Sequence, residues 1–266
     1  MRRHILNALL FCFIVVQTAA AASFWNFPGG SAAATFENVN SASYNGSSSI
    51  TTYAFYAPPA AFTVMCWANQ SATGTNPVVM AQWSASTSER SWIIGADTTD
   101  KLLVLLSSNG TTVTKNYVST GSVFSAGWHQ IGFTYDGAGD TLTLYADGSA
   151  LSVTKTTDTA MSQIFNTGTA AMTNGAIIKN AGGVPASFWN GLITHCSLWD
   201  VALSGAEFAA AASSNVPITL LSHSRVSDLI HWYQLGNLTD DASNIYDRIG
   251  SLHGTSSNVT ISSSNP

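Results

Sequence analysis

The stretch Phe188–Phe208, FWNGLITHCSLWDVALSGAEF, sets a strand, a turn and a helix start in one short run. Between Gly191 and Trp199 the apolar side chains alternate weakly: Leu192, Cys196 and Leu198 fall on one face, Ile193 and Trp199 on the other. A strand that is apolar on both faces is covered on both sides. Trp199–Asp200 reads as a turn. Ser204-Gly205-Ala206-Glu207 has the S-x-x-E spacing of a capping box, in which the Ser hydroxyl accepts the N3 amide and the Glu reaches back to the Ser amide. That spacing predicts a short helix through Phe208 and Ala209–Ala212.

Outward from this stretch, the chain looks β-built. Only 9% of its 266 residues are charged, and turn-forming dipeptides recur at close spacing, the pattern of an all-β sandwich. The formal charge is −5 with no basic patch, which excludes nucleic acid as a partner on charge grounds. At the N-terminus, Arg2 and Arg3 precede the apolar run Ile5–Val16 and the small residues Ala19–Ala22, the order of a secretory signal. Residues 1–22 are read as that signal, cut before Ser23, with no membrane contact afterwards. Cutting removes both arginines and leaves seven basic against 14 acidic residues, a mature charge of −7. The alternative is an uncleaved anchor, since Ile5–Ala22 approaches the roughly 17–25 residues of a span. Cys66 and Cys196 remain on two predicted strands; in an exported chain they form either one disulfide or two buried thiols.

Phe62–Trp67 and Val78–Trp83 read as strands, followed by Trp92–Ala96, Lys101–Leu106 and Thr111–Val118, with Asn109-Gly110 as the tight turn between the last two. A second meander follows Trp128: Ile131, Phe133 and Tyr135 share a face, and Asp147-Gly148 supplies a two-residue turn. WHQIGFTYDGAGDTLTLYADG, Trp128–Gly148, resembles the W-H-x-V-x-x-T-Y-D-G…L-x-L-Y-x-D-G run of laminin-G-like jelly-roll domains. Phe62–Trp67 is similar to the same family's F-T-V-S-x-W. Phe188, Gly191, Ile193, Trp199, Ala202, Leu203, Ser204 and Glu207 stand at the positions of its closing segment, which is shared with pentraxins in the concanavalin A-like lectin/glucanase superfamily. Thr194 and His195 occupy the place where the family has an acidic pair. The resemblance implies a two-sheet antiparallel jelly roll over residues 23–216, with one short helix near its end. The tail, 217–266, is read as extra strands on the same sandwich, because about fifty residues bury too little core alone. The resemblance also implies core positions for Trp67, Trp128, Trp199 and Trp232, and an interior shared by Trp128, Phe133 and Trp199.

The glucanase branch of that superfamily cuts sugars with paired carboxylates, which must stand about 5–9.5 Å apart. Here the three glutamates, Glu37, Glu89 and Glu207, fall in no E-x-D-x-E frame, and Glu207 is already a helix cap. Asp240-Asp241 are sequential and read as a solvated loop. The chain is therefore read as no enzyme. Many relatives hold calcium; with Thr194 at the acidic position and no D-x-D-x-D-G loop, the residues favour no metal, a calcium site of loop oxygens being the alternative. Trp rings stack on sugar faces, and Trp83, Trp92 and Trp189, nearer strand ends, are the candidate ligand-binding residues. Five N-x-S/T sequons lie at Asn45, Asn69, Asn109, Asn237 and Asn258. These features and the resemblance lead to a secreted, non-catalytic recognition module for a glycan or a cell-surface partner. The alternatives are a structural or adhesive surface or virion scaffold and, third, a glycoside hydrolase.

Overall fold

The computed structural model describes residues 36–73 and 76–266; the signal segment, Cys12 and Trp25 lie outside the described residues. The strands run β1 (Ser41–Asn45), β2 (Ile50–Tyr53), β3 (Ala61–Gln70), β4 (Val78–Ser84), β5 (Glu89–Ala96) and β6 (Leu102–Gly110). There follow β7 (Lys115–Ser119), β8 (His129–Asp136), β9 (Thr141–Ala146), β10 (Ser149–Ala150), β11 (Val153–Asp158), β12 (Met172–Asn174) and β13 (Asn190–Trp199). After helix α1 (Gly205–Ala209) come β14 (Ala212–Ser213), β15 (Val216–Pro217), β16 (Leu229–Tyr233), β17 (Asn244–Ile245), β18 (Gly254–Ser257) and β19 (Thr260–Ser262).

Two antiparallel sheets form the jelly roll. The first orders β10-β9-β8-β3-β13-β1-β19, with β16 also on β13; the second orders β11-β7-β6-β5-β4-β12-β2-β18-β17. The tail thus feeds both layers, through β16 and β19 in one and β17 and β18 in the other. A boundary drawn at 216 falls inside the β14–β15 hairpin, where Ser213 pairs with Val216.

The main core lies between the sheets. Phe62, Val64, Ile131, Phe133, Leu144 and Leu198 come from one, and Val79, Trp92, Ile94, Val104, Leu106 and Met172 from the other. A second cluster covers the outer face of the first sheet, where Met65, Trp199 and Trp232 meet Leu203 and Phe208 of the α1 segment. Trp128, Phe133 and Trp199 therefore share no interior: Phe133 lies between the sheets, Trp199 beneath α1, and Trp128 is half-buried.

β13 departs from strict alternation, and this corrects the face assigned to Ile193. Its pairing to β3 slips between Thr194 and Ser197, and His195 takes left-handed backbone at φ 46°. The extra residue is a β-bulge. It resets the phase, so Ile193, Cys196 and Leu198 all reach the inter-sheet core. The bulge sits where the neighbour on the other edge changes from β1 to β16. Asn237 closes that junction: its Oδ1 accepts the Val39 and Asn40 amides at 2.8 and 2.9 Å, and its Nδ2 donates to the Asn40 and Gln234 carbonyls. The bulge also aims Cys196 inward, where it forms a disulfide with Cys66 of β3.

The capping box forms as spaced, with Glu207 N donating to Ser204 Oγ and Ser204 N to Glu207 Oε2. The helix ends at Ala209, short of Ala212, because Ala212 enters a hairpin instead. The turn expected at Asn109-Gly110 falls after it: β6 runs through Gly110, and Asn109 Oδ1 accepts the Thr111 and Thr112 amides. Asp240 is no solvated loop residue, since its side chain is fully buried and ion-paired to Arg248.

Candidate functional site

Two of the three tryptophans expected to meet a ligand do not reach solvent. Trp92 packs against Phe62 and Phe133, Trp189 against Phe124, and both are 0% exposed. Trp92 lies in the middle of β5 and Trp189 just ahead of β13, and both belong to the main core cluster, so they do not reach the surface. Trp83 is 5% exposed on the outer face of the second sheet, among Val78, Ala81, Ile93 and Ile177, with the Arg90 guanidinium 6.0 Å from its ring. The structure does not bring the three rings together, and none offers a stacking platform.

A concavity lies on the other sheet. A cavity of 320 Å³ opens between the β9–β10 turn, the end of α1 and the β14–β15 hairpin. Gln130, Asp147, Gly148, Ala209, Ala212, Ser214 and Asn215 line it. Two tight turns build its walls. Asp147 and Gly148 have φ of 48° and 75°, and Ser214 and Asn215 have φ of 52° and 59°, the paired left-handed geometry of type I′ hairpins. Its third wall is α1, held to β9 by stacking of Phe208 on Tyr145 with centroids 4.5 Å apart. Gly132 lets the helix come this close, since a Cβ there would stand 2.5 Å from Phe208 Cε2.

Asp147 organises the floor. Its Oδ1 accepts the Gln130 amide at 3.0 Å, and its Oδ2 lies 2.8 Å from His129 Nδ1. His129 Nε2 faces the Ala126 carbonyl at 3.1 Å, so both ring nitrogens meet acceptors. That arrangement suits the imidazolium, and the bond to Asp147, joined by its charge, raises the His129 pKa against the opposing effect of burial. Gln130 is fully buried, and its Nε2 donates to Met65 Sδ at 3.1 Å. Because a thioether only accepts, the amide orientation is fixed and Oε1 is left as an acceptor without a partner. Trp128 precedes β8 by one residue, in phase with Gln130, and is half-buried with its indole N–H unpartnered. The sequence reading assigned Trp128 to the core on resemblance. The Asp147-Gly148 turn was legible, but its meeting with 214–215 depends on a hairpin that no sequence signal marked.

Among the described residues no three His, Cys, Asp or Glu side chains cluster as metal ligands would. Thr194, at the family's acidic position, donates its hydroxyl to the Gln234 carbonyl at 2.8 Å.

Two layers, a helix-covered outer face and a turn-walled pocket define a jelly-roll sandwich of the lectin type. The chain belongs to a laminin-G family of the concanavalin A-like lectin/glucanases superfamily, which it matches over residues 43–209. A candidate carbohydrate-binding protein from Bacteroides ovatus has a similar structure, with a TM-score of 0.64 at 17% identity over 85% of this chain. The chain spans 60% of that protein's length. The heptameric SAP-like pentraxin of Limulus polyphemus aligns with a TM-score of 0.54 at 15% identity, covering 84% of this chain and 97% of the pentraxin. The CBM40 module of a Ruminococcus gnavus IT-sialidase aligns at 0.51 with 13% identity, over 66% of this chain and all of the module. At these identities the likeness is one of fold. No curated protein matches the sequence significantly.

Proposed function

We propose that the chain is an exported, non-catalytic glycan-binding module that seats a sugar residue in the pocket beside α1. The fold supports this reading, being shared with a carbohydrate-binding candidate and with a sialidase module that has been seen bound to α2,3-sialyllactose. Export rests on the N-terminal segment, residues 1–22. The observation that carries the non-catalytic reading is that Asp147 is the one carboxylate among the pocket's lining residues. Both its oxygens are engaged, by the Gln130 amide and by His129. Glycoside hydrolysis needs two carboxyl groups across the scissile bond, one free to give or take a proton.

The pocket offers polar groups a sugar can use: the Asn215 amide, the Ser214 hydroxyl and the partly exposed Asp147 carboxylate. A glycan array on the whole chain tests it, repeated with Asn215→Gly, which suits the φ of 59° while removing the amide. Losing one hydrogen bond of about 0.5–1.5 kcal/mol weakens binding roughly 2- to 13-fold. Unchanged binding by that variant and by Trp128→Ala would move the site elsewhere, and sugar release from a polysaccharide would overturn the non-catalytic reading.

A further inference from the structure

We propose that this pocket selects neutral, hydroxyl-rich sugars and discriminates against glycans ending in a carboxylate, an inference that rests on the pocket being the glycan site. Recognition of a carboxylate needs a cation or a cluster of N–H donors, most often an Arg fork. No Lys or Arg lines the pocket. His129 stands beside the floor, but Asp147 and the Ala126 carbonyl occupy both its ring nitrogens, so it presents no donor to a ligand. Lys115, Lys155, Arg225 and Arg248 are each held by carboxylates within 3.3 Å, and Arg90, Lys101 and Lys179 are not among the lining residues.

The accepting group within reach is the Asp147 carboxylate, about a third exposed, whereas Gln130 Oε1 is closed off from solvent. Beside it stand the Ser214 hydroxyl and the Asn215 amide, which can donate. A sugar hydroxyl gives and takes a hydrogen bond at one oxygen, so it suits both kinds of group. A carboxylate only accepts, and would lie against the oxygens of Asp147, which is unfavourable. The size fits one terminal residue, since 320 Å³ is at the small end of ligand pockets, roughly 300–1,000 Å³.

The test is an array of matched pairs, the same oligosaccharides with and without a terminal sialic or uronic acid, probed with the whole chain. It is repeated with Ala212→Trp, which fills the pocket, and with Asn215→Gly; thermal melting reports whether each variant folds. The neutral members are expected to bind at least about tenfold more tightly than their acidic counterparts, with Ala212→Trp abolishing that binding and Asn215→Gly weakening it roughly 2- to 13-fold. Acidic members bound equally or better, with binding reduced in both variants, would overturn the neutral selectivity and leave the pocket as the site. Binding indifferent to both variants, or no binding to any member, would overturn the site and the selectivity with it.

Discussion

Replacing both bridge cysteines, Cys66→Ala with Cys196→Ala, should lower stability by about 5 kcal/mol. The bond joins residues 130 apart in sequence. In the chain-entropy account, closing a loop of that length removes about 16–17 cal/mol/K from the unfolded ensemble, or about 5 kcal/mol at 25 °C. The folded side changes less, because β3 and β13 stay paired from Gly191–Gln70 to Trp199–Thr63 on either side of the bulge. Both sulfurs are fully buried, Cys66 beside Met80 Sδ and Cys196 beside Asn174 Nδ2, so the alanines add a small packing loss in the same direction. For a domain of this size each kcal/mol shifts the melting temperature by about 2–4 °C, giving a fall of about 10–20 °C. Scanning calorimetry of the double variant against the oxidised protein reads this directly, and thiol titration of the unfolded wild type confirms that the bond was present. A double variant melting within 2 °C of wild type would refute the reasoning, as would two titratable thiols in the protein made under oxidising conditions.

Two other outcomes follow from buried charge. His195 has no hydrogen bond at either ring nitrogen and packs between Phe36 and Trp232; burial pushes its pKa down to about 3 from 6.5. The unfolded chain therefore takes up the proton first, so stability is whole above pH 6.5 and drains away as pH falls towards 3, with about 2 kcal/mol gone by pH 5. Asp240, pushed up to about 6 by burial, and His129, raised by Asp147, take up protons first in the folded chain and offset part of that loss. The His195 contribution is therefore read as a difference: between pH 7.5 and 5, urea titrations of wild type and of His195→Asn, which tolerates the left-handed backbone, should differ in their stability change by about 2 kcal/mol. Lys115 is buried to 1% and bonds Asp158 at 2.8 Å and Asp140 at 3.1 Å, tying β7 to the turn after β8. Lys115→Met should cost about 1–3 kcal/mol, below the 3–5 kcal/mol of a wholly buried pair because the aspartates keep partial contact with water; an unchanged urea midpoint would remove the pair from the account of stability.

Local chemistry made much of the fold readable. Asp147-Gly148 needs left-handed φ at both positions and reads as a turn anywhere; Ser204 and Glu207 cap a helix wherever they stand three apart with room to curl. Two-residue alternation likewise placed Ile131, Phe133 and Tyr135 on the inner face. Alternation failed at β13, where one inserted residue at His195 inverts the faces of everything beyond it. Nothing in T-H-C-S announces that insertion, because the change of partner from β1 to β16 that accompanies it is a property of distant chain. Burial of the tryptophans failed for a related reason. Whether a ring sees water depends on which face of the sheet it takes, so Trp92 and Trp189, in the main core, are sealed while Trp128 is half-buried. The pocket was illegible as a unit: Gln130, Asp147 and Asn215 meet only because Gly132 admits α1 and the chain then doubles back at Ser214. Among the sequons, the pattern at Asn237 is satisfied by a side chain that is wholly buried and fully bonded.

The strand order carries a consequence for synthesis. β1 lies between β13 and β19, and β2 between β12 and β18, so the segments that leave the ribosome first have neighbours that leave it last. The second layer is incomplete until Ser257 is out and the first until Ser262, and until then the early strands keep open edges. On the proposed export, a chain obliged to wait in this way would stay pliable while a channel threads it and would acquire its final shape, and its cross-link, on the far side.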